Sequence, residues 1–493
     1  MSSLFPAFDR PTTHDRRPAL RFTDREPLSY ADLTAAAGRL AASLRGQRLV
    51  AVWATPTPET AVGVVAALLA GVPAVPLNPR SGEREAAHIV SDSAPTLLLA
   101  EPGAELPPAP AALPRRDITL RAPGPPPERL PEPAPESPAL VVYTSGTTGP
   151  PKGAVLPRRA IAATVDALAD AWRWTADDVL VHALPLFHVH GLILGALGPL
   201  RLGGAVHHLG RFTVDGVARG LGEGGGTMLF GVPTMYHRLA EALGPDPGPD
   251  PGDDRRLLAD ALAGARLLVS GSAALPLHDH RRIAEATGRG VIERYGMTET
   301  LMITAVRADD RPRAGTVGVP LRGVELRLVG EDGRETTPGD VGEIQVRGPN
   351  LFTGYLGRPE ATEATFADDG WFRTGDMANR DPDGAVRIVG RRATDLIKSG
   401  GYKIGAGEIE NALLEHPGVL EAAVTGEPDA DLGERVVAWV VPADPDRPPA
   451  PRDLAGHVAR QLAPHKSPRA VRYLDALPRN AMGKVVKQDL AHG

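Results

Sequence analysis

Short apolar runs alternate along the chain with segments in which apolar residues recur every three or four positions. Arg48–Ala54 (RLVAVWA) and Val72–Leu77 (VPAVPL) predict strands, and Glu59–Ala70 between them predicts a helix. Ser29 and Asp32 precede another periodic segment with the spacing of a capped helix start. Alternation of strands and helices predicts an α/β fold with largely parallel sheets.

The same pattern becomes more compact towards the C-terminus. Ala385–Arg391 predicts a strand, and Gly407–Glu415 and Arg452–Leu462 predict helices, with further strand-like runs between and after them. These elements are sufficient for a separate domain of about 100 residues.

Composition narrows the class of protein. The 493 residues exceed what one core normally holds, and the net charge of −6 provides no basic surface for nucleic acid or an anionic membrane. With no cysteine, the chain has no disulfide, thiolate metal site or cysteine nucleophile. The N-terminal residues lack the apolar core of a signal peptide, so we expect a cytoplasmic protein. We also expect no obligatory protein partner.

One stretch, Val141–Gly153 (VVYTSGTTGPPKG), joins a predicted strand to a loop of glycine and hydroxyl residues. Glycines let the backbone approach a ligand, so successive N–H groups can form an anion site, and Lys152 adds a positive charge. A P-loop would have Ser or Thr where Gly153 follows Lys152, and a flexible turn is the alternative. The predicted phosphate-binding residues are Thr144, Ser145, Gly146, Thr147, Thr148, Gly149 and Lys152.

This loop resembles the phosphate loop of the adenylate-forming superfamily, which includes acyl-CoA synthetases, peptide-synthetase adenylation domains and firefly-type luciferases. The resemblance extends from roughly residue 15 to the end of the chain. Five further motifs follow in the family's order: PLFHVHG at Pro185–Gly191, ERYGMTET at Glu293–Thr300, RTGDM at Arg373–Met377, GRRATDLIKSGGYKIGAGEIE at Gly390–Glu410, and PRNAMGKV at Pro478–Val485.

The resemblance implies a ligase that uses ATP, Mg²⁺ and CoA. A carboxylate attacks ATP and expels pyrophosphate, and the thiol of CoA then takes the acyl group and releases AMP. Two unit charges 4 Å apart cost about 4 kcal/mol at an effective dielectric of 20, so cations must offset the approach of two anions. The resemblance implies that Lys484 is the reactive cation, that Glu299 and Thr144 bind Mg²⁺, and that His188 gates the carboxylate pocket.

Further binding residues follow from the same motifs. Tyr295 is implied to stack on adenine, Asp376 to accept the ribose hydroxyls, and Arg391 to make a second ribose contact. Without the flanking motifs, Tyr295 would be an ordinary core aromatic and Glu299 a helix cap. The remaining implied residues are Ser272, Ala273, Ala274, Glu293, Arg294, Gly296, Met297, Thr298 and Lys484 for ATP or AMP, and Lys398, Ser399, Gly400 and Gly401 for CoA.

The resemblance also implies the domain organisation. A large N-terminal domain of layered α/β subdomains, with a small β-barrel-like part, is expected at 1–391, a hinge at 392–396, and a small, mobile C-terminal α+β domain at 397–493. Because GRRATD carries one residue more than many relatives, the pivot is Ala393, Thr394 or Asp395.

The acid is suggested by a predicted trio of cation, imidazole and hydroxyl: Arg238, His190, and Ser270 or Ser272. A buried arginine suits a second carboxylate, because it binds carboxylate bidentately. The combination resembles malonyl-CoA synthetases, including the actinobacterial type that accepts methylmalonate. A solvent-facing Arg238 and a hydrogen-bonded core His190 are the alternatives, and other readings are a ligase for another short-chain acid, a carrier-loading adenylation enzyme, or a nucleotide-binding regulator.

Overall fold

The chain is described here from a computed structural model. It covers residues 3–8, 15–121, 130–144, 150–244, 252–310, 313–391, 395–400, 402–479 and 485–490.

The described residues form 25 strands, 14 α-helices, a π-helix and two short 3-10 helices, Pro6–Phe8 and Pro464–Lys466. The strands are β1 Pro18–Phe22, β2 Leu28–Ser29, β3 Val50–Trp53, β4 Ala74–Leu77, β5 Leu97–Ala100, β6 Arg115–Asp117, β7 Pro138–Thr144, β8 Lys152–Pro157, β9 Val179–His182, β10 Ala205–His208, β11 Met228–Gly231, β12 Leu267–Ser270, β13 Val291–Met297, β14 Leu301–Ala305, β15 Val319–Pro320, β16 Glu325–Val329, β17 Gly342–Arg347, β18 Gly354–Tyr355, β19 Phe372–Arg380, β20 Val386–Arg391, β21 Leu396–Ser399, β22 Tyr402–Gly405, β23 Val419–Asp429, β24 Gly433–Pro442 and β25 Ala470–Tyr473. The helices are α1 Tyr30–Ser43, α2 Pro58–Leu69, α3 Glu83–Ser93, α4 Pro108–Ala111, α5 Arg158–Trp172, α6 Gly198–Leu202, α7 Val214–Leu221, α8 Pro233–Ala242, α9 Gly252–Gly264, α10 Leu277–Thr287, α11 Pro359–Glu363, α12 Ala406–Leu414, α13 Pro451–Gln461 and α14 Lys487–Leu490, and the π-helix is His190–Leu197.

Two large, mainly parallel sheets build the N-terminal part. The first has the order β15-β14-β13-β12-β11-β9-β10-β1-β2, and the second β18-β8-β7-β4-β3-β5-β6. Helix α2 packs against strands of both sheets and is buried along almost its whole length. A helix that is apolar all round requires such a buried position, which explains the unbroken apolar run in its sequence.

Local sequence signals account for several boundaries. The Ser29 hydroxyl accepts a hydrogen bond from the Asp32 backbone N–H at 3.1 Å, and the Asp32 carboxylate accepts one from the Ser29 backbone N–H at 3.1 Å. This reciprocal capping box begins α1 where the spacing predicts it.

Two smaller sheets complete the structure. The first, β16-β17-β19-β20, is antiparallel, and β16 and β20 lie at its edges, so the part expected to be barrel-like is an open sheet. The second contains β21 to β25 and packs with α12 and α13 around a separate apolar core that includes Ile404, Ile409 and Val440. A separate core agrees with the predicted C-terminal domain. None of the helices described has the length and apolarity needed to cross a bilayer.

Candidate active site

The sequence-predicted site residues gather where parallel strands of the large sheet end. Strands β11, β12 and β13 run parallel, with Gly231 paired to Ser270 and Ser270 paired to Glu293 at their carboxyl ends. The π-helix at His190–Leu197 begins beside β11, where the His190 ring lies near that of Phe230. Ligand sites in α/β sheets form at such carboxyl ends, and π-helical turns are frequent at functional sites.

Two buried polar side chains, Arg294 and His190, form a cluster here, referred to below as the buried polar cluster, and Ser270, also buried, ends the neighbouring strand β12. The exposed fractions of the three residues are 4%, 6% and 0%. The Nε and Nη2 atoms of Arg294, both ring nitrogens of His190 and the Ser270 hydroxyl have no hydrogen-bond partner among the described residues. Buried polar atoms are normally paired, so this cluster has the donors and acceptors of a ligand site.

Burial dominates the electrostatics of the cluster. It lowers the pKa of Arg294 to about 10, which leaves the guanidinium charged at neutral pH. Burial, reinforced by the charge of Arg294, pushes the pKa of His190 well below its usual value, so the imidazole is neutral. Within the described part of the chain the cluster therefore carries one positive charge with no counter-ion, which is the condition that attracts an anion.

Close packing at Gly271 holds the guanidinium in place. A Cβ atom at this position would lie 2.4 Å from Cζ of Arg294, so any larger residue would displace the cation. The ring of His190 lies 6.0 Å from that of Phe230 on β11, which completes the apolar surroundings.

The next residue of β13, Tyr295, belongs to a different group. Its hydroxyl donates a hydrogen bond of 2.5 Å to Asp376 on β19, and Nε of Arg391 on β20 lies 3.2 Å from the other oxygen of that carboxylate. Successive side chains of a strand point to opposite faces, which separates Tyr295 from its neighbour Arg294. The three residues predicted for adenine and ribose are thus brought together.

A third group joins the predicted magnesium ligand to the phosphate loop. Glu299 is 5% exposed and accepts a hydrogen bond of 2.7 Å from the Tyr355 hydroxyl. The ammonium of Lys152 lies 5.2 Å from the centre of the Tyr355 ring. Thr144 pairs with Lys152 across β7 and β8. Carboxylate and hydroxyl oxygens are the hard ligands that Mg²⁺ takes, so Glu299 and Thr144 fit the ion chemically.

The loop after β12 supplies an accessible edge to the site. Ser272 has a left-handed backbone with φ of 81°, and Ala273 and Ala274 after it are exposed. A non-glycine residue in this region is strained, and such strain is concentrated at ligand sites. Gly296 is required for the turn into β14, since a Cβ there would lie 1.8 Å from the Leu301 carbonyl oxygen.

Three other predicted residues have distinct surroundings. The Glu293 carboxylate accepts a hydrogen bond from the Leu275 backbone N–H at 3.0 Å and lies 3.3 Å from His280, so its side chain is occupied within the protein. Met297 and Thr298 are half-buried at the end of β13. His188 lies in the turn before the π-helix, with its ring 4.4 Å from that of Phe187.

Some predicted residues do not join these groups. Arg238 lies on α8 with an exposed side chain and is not part of the buried polar cluster. Lys398 contacts Glu331 at 3.5 Å, in the turn after β16, and Ser399 and Gly400 follow it at the end of β21. The predicted residues that lie outside the described part of the chain are Ser145, Gly146, Thr147, Thr148, Gly149, Gly401 and Lys484, with hinge positions 392–394.

Sequence reasoning missed Tyr355 and Thr374. Tyr355 reaches Glu299 only because β18 pairs with β8, about two hundred positions earlier in the chain, which no local pattern encodes. The Thr374 hydroxyl accepts a hydrogen bond from the Asp376 backbone N–H at 3.1 Å. Thr374 lies two residues before the predicted ribose aspartate, inside RTGDM, and this position could have indicated from the sequence that it supports Asp376.

Comparison with known families gives matches over most of the chain. The model of the AMP-binding enzyme family matches residues 8–356, and that of the AMP-binding enzyme C-terminal domain matches residues 408–484. The chain belongs to the AMP-binding enzyme family. The resemblance drawn from the six motifs is thereby confirmed.

Individual proteins similar to this AMP-binding enzyme include ligases. The malonate–CoA ligase of Arabidopsis thaliana is 36% identical over 91% of this chain and 78% of its own length. A solved malonyl-CoA ligase ternary product complex with methylmalonyl-CoA and AMP bound is 70% identical, with a TM-score of 0.73 over 96% of this chain and 100% of that one. ATP-bound MatB of Rhodopseudomonas palustris is 34% identical, with a TM-score of 0.85 over 99% of this chain and 98% of that one.

Proposed function

We propose that this AMP-binding enzyme is a malonate–CoA ligase that also accepts methylmalonate. Malonate and ATP give a bound malonyl-adenylate and pyrophosphate, and CoA then gives malonyl-CoA and AMP. The 70% identical malonyl-CoA ligase, solved with methylmalonyl-CoA and AMP, supports both the acid and the nucleotide product.

The buried polar cluster carries the choice of acid. A monocarboxylate with an alkyl tail would leave the Arg294 guanidinium buried and unpaired, which costs several kcal/mol. The second carboxylate of malonate provides the missing counter-ion, and its two oxygens match the fork of the guanidinium. His190, neutral and unpartnered among the described residues, and Ser270 are placed to complete the hydrogen bonds of that carboxylate. We therefore assign Arg294 to the acid rather than to the nucleotide.

The nucleotide side rests on Tyr295, Asp376 and Arg391. In this proposal the Tyr295 ring stacks on adenine, while the Asp376 carboxylate accepts the ribose hydroxyls beside the Arg391 guanidinium. The hydrogen bond from Tyr295 to Asp376 fixes both side chains before the nucleotide arrives. Preorganisation of this kind reduces the entropy lost on binding.

The phosphate side rests on Lys152, Thr144 and Glu299, to which we assign the phosphates and Mg²⁺. The ion supplies positive charge where the acid approaches the α-phosphate. Tyr355 orients the Glu299 carboxylate through its hydrogen bond of 2.7 Å. The proposal keeps Lys484 as the cation that bridges acid and phosphate, and the segment at Lys398–Gly400 as a CoA contact, on the strength of the family motifs.

A matched pair of arginine variants tests the acid assignment. Arg294→Gln should lower kcat/KM for malonate about 100-fold or more, because a charge-assisted bidentate contact is lost, while the KM for ATP changes little. It should also improve the ratio of propionate to malonate turnover, since the variant no longer buries an unpaired charge. AMP release with CoA present measures each acid.

Arg238→Gln is the matched control, since it removes an exposed arginine from α8. Equal losses in both variants would place the recognition of the acid outside the buried polar cluster. Full malonate activity in Arg294→Gln would end the assignment altogether. If the wild type released pyrophosphate with another short-chain acid but with no dicarboxylate, that acid would replace malonate as the proposed substrate.

A further inference from the structure

A second group of potential ligands lies outside the active site, between helices α8 and α10. It consists of His237 on α8 and His278 and Asp279 in the first turn of α10, referred to below as the His–Asp cluster. Nδ1 of His237 lies 3.2 Å from the Asp279 carboxylate, and Nε2 of His278 lies 3.1 Å from Oδ1 of the same group. One ligand atom from each of the three residues lies within 4.8 Å of the others.

Burial makes the carboxylate unusual. The Asp279 side chain is completely buried, whereas the side chains of His237 and His278 are 34% and 27% exposed. A fully buried carboxylate requires positive charge or several donors close by. The two imidazoles face it from the solvent side, so a cation that they bind would be reachable from the surface.

The distances agree with a metal coordination sphere. Ligand atoms about 2.0–2.1 Å from a tetrahedral zinc ion are separated from each other by roughly 3.3 Å. Two of the three separations between ligand atoms, 3.2 Å and 3.1 Å, are close to that value, and the third is within 4.8 Å.

The outer nitrogen of His237 has a further carboxylate partner. Its Nε2 atom lies 3.5 Å from Oε1 of Glu241, one turn later on α8. A metal-bound histidine commonly donates its second ring N–H to a carboxylate, which orients the ring. Arg282 adds a positive charge near His237 and opposes a cation, whereas Asp279 and Glu241 together supply two negative charges.

We propose that the His–Asp cluster is a binding site for a divalent transition-metal ion of the zinc class. His237 Nδ1, His278 Nε2 and the Asp279 carboxylate are the three protein ligands, and water takes the remaining position. This set of two nitrogens and one oxygen suits Zn²⁺, Co²⁺ or Ni²⁺ and is unsuited to Mg²⁺, which prefers oxygen ligands alone. The site is therefore distinct from the magnesium site assigned to Glu299.

The position of the cluster gives the ion a structural role. Helix α8 follows β11 directly, and α10 follows the loop at Ser272–Ala274 that borders the active site. An ion bound by both helices would fix α8 and α10 relative to each other. It would stabilise the folded chain without entering the reaction.

Calorimetric titration of the tag-free, EDTA-treated chain with Zn²⁺ tests the proposal, with no nucleotide or acid present. The wild type should bind one equivalent and gain a few degrees in melting temperature, since a ligand that binds only the folded state stabilises it. His278→Gln and His237→Gln should each weaken binding about 10-fold or more. Titration with Co²⁺ should give a visible absorption band, and Mg²⁺ should give no heat at this site.

His457→Gln is the matched control, because it removes a histidine that pairs with Gln461 on α13, far along the chain from the cluster. It should bind Zn²⁺ as the wild type does. Absence of stoichiometric binding by the wild type would overturn the proposal, as would equal affinity in His237→Gln, His278→Gln and the control. Circular dichroism of each variant separates loss of the ion from loss of the fold, and neither result depends on malonate activity.

Discussion

At the scale of single residues, side-chain direction decides what each part of a motif does. ERYGMTET is continuous in sequence, and reading it as one nucleotide motif assigns Arg294 and Tyr295 to the same ligand. In the strand they point to opposite faces, towards His190 and towards Asp376. The motif predicts a candidate site, but the separation of the two side chains depends on the pairing of β13, which the motif does not encode.

Tyr355 gives a prediction at this scale. Tyr355→Phe removes the hydroxyl that donates to Glu299 and leaves the ring beside Lys152. Loss of a partner that orients a metal ligand should raise the Mg²⁺ concentration needed for half-maximal AMP release about 10-fold.

Tyr473→Phe provides the comparison, since that hydroxyl donates to the Pro449 carbonyl in the C-terminal sheet. It should leave the Mg²⁺ dependence of AMP release unchanged. An unaltered Mg²⁺ dependence in Tyr355→Phe would show that Glu299 needs no orientation or does not bind the ion.

At the scale of elements, local patterns predict most strands and helices but not the contacts between distant ones. The alternation around β3, α2 and β4 and the capping box of α1 are visible in sequence because each depends on residues a few positions apart. The pairing of β18 with β8 is not visible in the sequence. The contacts of Lys487 with Asp395 and Glu410 are not visible either. Both depend on tertiary packing, which local propensity does not encode.

Lys487 gives the prediction for this scale. Its ammonium lies 2.8 Å from Asp395 and 2.7 Å from Glu410, and the Asp395 carboxylate also accepts a hydrogen bond from the Arg391 backbone N–H. Lys487→Met would leave two carboxylates facing each other without their cation. We expect faster amide hydrogen exchange in β21 and α12, because removing the cation leaves two partly buried carboxylates, 24% and 22% exposed, without a counter-charge.

Lys466→Met is the matched change, since Lys466 pairs with Glu408 at a more exposed position. Exposed pairs contribute at most about 1 kcal/mol, so exchange should change little. Identical exchange in the two variants would mean that Lys487 does not secure the segment after the predicted hinge.

At the scale of the whole molecule, the arrangement of its two parts is the least predictable feature. The 70% identical product complex gives a TM-score of 0.73, whereas the 34% identical ATP-bound chain gives 0.85. The two scores do not follow the two sequence identities, so identity alone does not predict how well the whole chains superpose. The boundary at 391, the hinge at 392–396 and the mobility of 397–493 remain predictions from the motifs.

Three buried histidines make the whole chain sensitive to acid. Burial pushes the pKa values of His182 and His190 well below the ordinary 6.5, and lowers that of His208 to about 4. As the pH falls, the unfolded chain therefore takes up protons on these histidines before the folded chain does. The free energy of unfolding is thus unaffected by them above about pH 6.5 and decreases below that pH. Each histidine should cost about 1.4 kcal/mol for each pH unit below that value.

Thermal unfolding between about pH 7.5 and pH 5 measures this loss. The melting temperature should fall steadily below the ordinary histidine pKa. His208→Gln, though less stable at neutral pH, should show a shallower fall because one titrating group is gone. A melting temperature that is level across this interval would contradict the buried, neutral state of the three rings.

The alternation of Arg294 and Tyr295 along β13 has a consequence for how new specificities could arise. Under the proposed assignments, replacing Arg294 would change the chemistry on one face of the strand and leave the other face intact, so the acid could be exchanged without rebuilding nucleotide recognition. An inserted or deleted residue in the same strand would act differently, because a shift by one position turns every side chain to the opposite face. Substitution at Arg294 could therefore change the acid specificity. An insertion or deletion within the seven residues of β13 would instead disrupt the recognition of both the acid and the nucleotide.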